Sequence, residues 1–271
     1  MSGELVWFLA ALAVAGLVAG FIGGLFGLGG GVVLVPALYL VFTALGVDEA
    51  VRMHVAVGTS LSTIVSTSWR SLSAHTKAGA VDFALLRAWA PWISVGALIG
   101  AALAGISDTH VLLVVFGVGL LVVSAHMLLS RPEQRVFKDV PRGVGAVAAG
   151  GGIGVISAMM GIGGGTFGVP LLTLCSRPIH QAVATASGFG AAIALPAALG
   201  YVVSGWGREG LPPWSLGFVS APGFVLLAVL TAITAPIGAR LAHRLPQQTL
   251  KRAFAVVLAL LALNMLRAAF A

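Results

Sequence analysis

Long apolar runs separated by brief polar punctuation dominate this chain. The stretches 5–46, 53–69, 83–106, 111–129, 143–176, 179–203, 214–239 and 253–266 hold almost no charged residue. Runs of about 20 apolar residues suit a hydrocarbon core roughly 30 Å thick. The pattern predicts five helical pieces in each half: A (5–26), B (32–46), C (53–75), D (82–105) and E (109–129), then A′ to E′. Piece B′ runs only from Thr166 to Ser176, or about 16 Å as helix, half a bilayer. A/B and A′/B′ are therefore read as re-entrant hairpins with glycine tips, Pro36 and Pro170 lying near the start of each second arm. Irregular backbone at that depth needs burial in protein or a polar cavity.

Composition sharpens this to an all-α polytopic membrane protein. Hydrophobic residues make up 59% of the 271 positions and charged residues 8%, against about a quarter charged in a soluble domain. The first apolar run follows Met1-Ser2-Gly3-Glu4 without a basic segment and is not read as a secretory signal. The net charge of +7 sits in short loops, which points to membrane orientation and away from nucleic acid.

The chain repeats itself. Gly20–Pro36 laid on Gly154–Pro170 matches at eight of seventeen positions, including Gly29–Gly31 on Gly163–Gly165. "HVAVGTS" from His54 then meets "HQAVATA" from His180, and "IGAALA" from Ile99 meets "IGARLA" from Ile237. The expected organisation is a first repeat (1–130), a polar linker (131–142) and a second repeat (143–271). A hairpin plus three spans per repeat makes the two repeats inverted. With the linker in the cytoplasm, twelve of the fifteen Lys and Arg fall inside, and Arg52, Arg208 and Arg267 stay outside with both termini.

Small-xxx-small pairs such as Gly16/Gly20, Gly96/Gly100 and Gly150/Gly154 signal close helix packing. The triplet tips are different, because consecutive glycines break a helix. At each tip a second helix begins, with unpaired N–H groups and the positive end of its dipole. Inverted tips facing each other near the midplane make an anion site. Its candidate residues are Gly29, Gly30, Gly31, Gly163, Gly164 and Gly165, with the hydroxyls of Thr59, Ser60, Thr185 and Ser187. Thr59, Thr63, Ser66 and Arg70 share one face of piece C, with Ser60, Ser62 and Thr67 near it. His54 and His180 open matched helices and are candidates for a gate or a coupling proton.

Other chemistries fit poorly. One cysteine, Cys175, excludes an intramolecular disulfide and a cysteine-built metal site. No His-Glu-x-x-His or paired aspartates suggest an enzyme, no cofactor is expected, and Gly27-x-Gly29 lacks the third glycine of a nucleotide fingerprint. No acidic residue lies mid-span, which disfavours a carboxylate proton relay.

The phrases "GLFGLGGGVVLVP" and "AMMGIGGGTFGVP", each followed by the histidine motif, resemble the sulfite exporter TauE/SafE family of membrane permeases over nearly the whole length. The resemblance implies a multi-pass inner-membrane protein carrying small sulfur-containing anions such as sulfite or organosulfonates. Cys175 at a loop edge departs from cysteine-dependent thiosulfate carriers. The expected function is a secondary transporter, with export polarity implied by the family name alone; a passive anion channel or a permease for another small organic anion is the alternative. Its expected partners are the anion, the bilayer and a coupling proton, with an oligomer left open.

Overall fold

The computed structural model describes residues 2–26, 31–129, 137, 139–242 and 247–270. Ten helices carry the described residues: α1 (Ser2–Phe26), α2 (Gly31–Ala44), α3 (Glu49–Lys77), α4 (Phe83–Ile106), α5 (Thr109–Leu129), α6 (Val144–Met160), α7 (Gly165–Leu174), α8 (Ile179–Ser204), α9 (Ala221–Ala242) and α10 (Gln247–Phe270). A two-stranded hairpin, β1 (Ser215–Leu216) and β2 (Val219–Ser220), precedes α9. The fold is all-α and polytopic. Helices α4, α5, α8 and the 252–270 part of α10 are long and apolar enough to cross a bilayer. α3 has the length, 29 residues, but the hydroxyls and charges of its second half lower its hydropathy, and its buried residues lie between Val51 and Ile64. α7 has only 10 residues, about 15 Å.

Helices pack in reciprocal pairs. α1 runs beside α9 as α6 runs beside α4, while α3 meets α8 and α5 meets α10. Glycines set the closest approaches. A Cβ at Gly96 would strike the Gly151 carbonyl, one at Gly154 the Ile93 carbonyl, and one at Gly16 would lie 3.1 Å from Leu227. Such contacts let backbones touch, which is the packing role expected of small-residue pairs.

Caps define two opposite ends of the bundle. Asp82 caps α4, its carboxylate accepting from Leu85 N at 3.0 Å. Around that end Arg177 lies 3.7 Å from Asp82 and 3.5 Å from Asp139, which also pairs with Arg142 at 2.6 Å. The backbone amide of Val140 and the Arg142 guanidinium hold the Asp139 carboxyl below its ordinary range. At the other end of α4, His54 Nε2–H donates to the carbonyls of Ala104 (3.0 Å) and Ser107 (3.1 Å). The Thr109 hydroxyl there donates to Glu49 O at 2.7 Å. The turn at Asp48, which caps α3, and the turn at Arg177, just before α8, therefore lie at opposite ends of the molecule.

Candidate functional site

The second glycine tip is built by stopping one helix and starting another within four residues. α6 ends at Gly161, whose φ of +69° is the left-handed conformation glycine adopts without strain. The N–H groups of Gly161 and Ile162 close the helix on Ala158 O and Ser157 O. Two neighbours hold this end: the Ser60 hydroxyl donates to Gly161 O at 2.8 Å, and the Tyr201 hydroxyl to Ala158 O at 3.3 Å. α7 then starts at Gly165, with Gly168 N returning to Gly164 O at 2.8 Å.

This leaves the N–H groups of Gly163, Gly164 and Gly165 without an acceptor among the described residues. They sit at the positive end of α7 and line a cavity of about 80 Å³. α3 contributes Ile64, Thr67, Ser68 and Ser71 to its wall, and α8 contributes Val183, Ala186, Ser187 and Gly190. No charged side chain lines it among the described residues. Thr67 bonds back to its own helix and Ser187 donates to Ala184 O at 2.6 Å, whereas the Ser68 and Ser71 hydroxyls have no partner among the described residues. Two further hydroxyls flank the tip, Ser157 on α6 and Thr166 on α7. Both are buried without a hydrogen bond among the described residues, an uncommon and costly state. The space is far below the roughly 300–1,000 Å³ of a drug-sized pocket and suits a ligand of a few atoms.

The three glycines are not equivalent. A Cβ at Gly164 would lie 2.5 Å from Gly190 N, so this residue is a backbone contact with α8. A Cβ at Gly163 would meet Ile64 at 3.5 Å, and one at Gly165 would meet nothing within 4 Å. Of the first tip, Gly29 and Gly30 lie outside the described residues. Gly31 opens α2 and is buried against the second tip, where a Cβ would be 3.0 Å from Gly161 O and 2.7 Å from Ile64. The wall is also lopsided. Where α3 presents Thr67, Ser68 and Ser71, the matched positions of α8 are Ile193, Ala194 and Ala197, all buried.

The remaining candidates scatter. Ser60 and Ser187 stand at the second tip. Thr59 and Thr185 are fully buried elsewhere: Thr59 Oγ1 accepts from Ser220 N at 3.0 Å, and Thr185 Oγ1 from Asp82 N at 3.1 Å. Ser220 and Asp82 are the residues that open α9 and α4, so both threonines support a helix start and keep a hydroxyl hydrogen to donate. His54 is buried and His180 exposed, so the matched histidines have unlike surroundings. Sequence reasoning missed Ser68 and Ser71; their spacing from Ile64 along one helix face was the available signal.

An apolar, multi-pass helical bundle with a buried glycine break between α6 and α7 is the architecture of a membrane protein and fits the transporter class. The sulfite exporter TauE/SafE family model matches residues 12–265, and the chain belongs to that family. It is similar to a "Probable membrane transporter protein" of Haemophilus influenzae, 33% identical, covering 95% of this chain and 98% of the relative. A second protein so described, from Methanocaldococcus jannaschii, is 25% identical over 97% of both chains. One from Bacillus subtilis is 32% identical over 64% of this chain and 71% of its own. No solved structure matches significantly.

Proposed function

We propose that this membrane transporter is a secondary carrier of small oxyanions, sulfite and organosulfonates foremost, exporting them across the inner membrane. One observation carries the reading: three unpaired amides at the start of α7 face a small cavity with no charged wall among the described residues. Backbone amides and a helix dipole stabilise an anion without a countercharge, and Ser68, Ser71 and Ser187 add hydroxyl donors. The family description, a sulfite exporter, supports the substrate class. The reciprocal packing of α1 with α9 and α6 with α4, and the opposite placement of the Asp48 and Arg177 turns, support inverted repeats joined by a cytoplasmic 131–142 linker. In this reading the second tip is the principal anion site and alternating access moves the halves around it.

The test uses purified protein and thermal stabilisation by sulfite, sulfate, sulfoacetate, taurine and thiosulfate, followed by flux in proteoliposomes. Gly165→Ala fits sterically and places a methyl in the cavity, whereas Gly164→Val would disrupt packing on α8. Stabilisation by sulfite or sulfoacetate that falls at least tenfold in apparent affinity with Gly165→Ala is expected. Normal binding and transport by Gly165→Ala would move the site elsewhere. Accumulation against the electrochemical gradient is expected for a carrier; strictly downhill flux would identify the passive channel.

A further inference from the structure

The α8–α9 connection is built to do something its counterpart cannot. It spans 16 residues (205–220), whereas the α3–α4 connection has five (78–82). Its hairpin points inward, so that the turn residues Gly217 and Phe218 enter between α3 and α8. Glycines clear the way. A Cβ at Gly58 would strike Phe218 O, one at Gly205 would strike Phe218 N, and one at Gly217 would strike Val202 O. Phe218 N donates to Tyr201 O at 3.1 Å. Its ring is 2% exposed, 4.8 Å from the His54 ring and 6.4 Å from Tyr201.

The contacts on the two sides of this wedge differ. His54 donates Nε2–H to the end of α4, leaving Nδ1 buried near the Ala50 carbonyl with no well-formed hydrogen bond among the described residues. Static cores rarely leave such an atom unsatisfied. The hairpin itself has two residues per strand, and isolated two-stranded hairpins are marginal. Its seat therefore depends on the buried ring and on two hydrogen bonds, Phe218 N to Tyr201 O and Ser220 N to Thr59 Oγ1. Trp206 and Trp214, at the outer part of the connection, are exposed, as befits side chains that settle among lipid headgroups. Farther along the same α3–α8 pair lies the tip cavity, beside Ser68 and Gly190.

We propose that Phe218 is the gating residue that seals the substrate path on the Asp48 side of the molecule, and that the 205–220 connection must withdraw it for the anion to pass. The proposal rests on the tip cavity being the substrate site. When the ring leaves, Gly58 and His54 Nδ1 become wettable, and a path opens along the α3–α8 seam toward the tip cavity.

The test places a cysteine at Leu61, fully buried and one helical turn along α3 from Gly58 on the side leading to Ser68, in a Cys175→Ser background. An impermeant maleimide is applied to cells and to inside-out vesicles, with and without Phe218→Ala. From the face carrying the hairpin, Leu61→Cys should be protected when Phe218 is present and should label at least fivefold faster with Phe218→Ala. Phe218→Leu, which keeps bulk, should stay protected and covers the case in which the alanine variant does not fold. In proteoliposomes Phe218→Ala should also lose accumulation while downhill flux persists. Equal labelling from that face with native Phe218, with Phe218→Leu and with Phe218→Ala would overturn the gate. Labelling needs no substrate: a sealed-then-opened position in a protein that binds none of the anions would sink the substrate reading and leave the seal standing.

Discussion

Thr59 and Thr185, at matched positions, each accept from the amide that opens a helix across the bundle. Thr59 serves the start of α9 and Thr185 the start of α4. Valine keeps the shape and removes the acceptor, leaving a buried N–H unpaired, a loss worth about 1–3 kcal/mol. Thr59→Val and Thr185→Val should each lower the melting temperature in detergent by a few degrees. The oxyanion-induced shift should keep its size. An unchanged melting point combined with a lost ligand shift would assign both hydroxyls to the anion. The sequence shows that these residues matter in pairs; it does not show which neighbour they serve, since Ser220 and Asp82 lie 161 and 103 residues away.

Elements are legible in the sequence where length or glycine spacing decides them. The short B′ piece is α7, and the Gly16/Gly20 and Gly96/Gly100 pairs sit at helix contacts. Gly96→Leu should therefore force α4 from α6, costing at least about 1–3 kcal/mol as overpacking and lowering the melting point. Gly152→Ala is the control, because nothing lies within 4 Å of a Cβ there; it should be neutral or slightly stabilising. An unaffected Gly96→Leu protein would mean the two helices are not in contact in the membrane. Two features are not legible. The apolar run from 214 conceals the hairpin, since its buried turn is as hydrophobic as a span. The sequence pattern puts the hydroxyl face of α3 at 59/63/66/70, one step around the wheel from the 64/67/68/71 set that lines the cavity. One residue is about 100° of helix rotation, and only tertiary packing fixes the roll.

At the scale of the whole molecule, charge and connectivity make separate claims. The Asp48 and Arg177 turns lie at opposite ends of the bundle, so thiols at Asp48→Cys and Asp139→Cys, each in a Cys175→Ser background, should label from opposite sides of the membrane. Asp139 should be the cytoplasmic one. Labelling of both from one side would refute the inverted arrangement. Native Cys175, 1% exposed, should react slowly from either side. The reciprocal pairing of α1 with α9 also bears on how the chain is made. α1 emerges from the ribosome well before α9, its partner, which ends at Ala242, about 200 residues later. At roughly 5–20 residues per second, α1 waits on the order of 10–40 seconds in the bilayer without its mate. The first 130 residues expressed alone would leave that face permanently uncovered, a ready target for membrane quality control, whereas supplying the second portion as a separate polypeptide would rescue it from degradation.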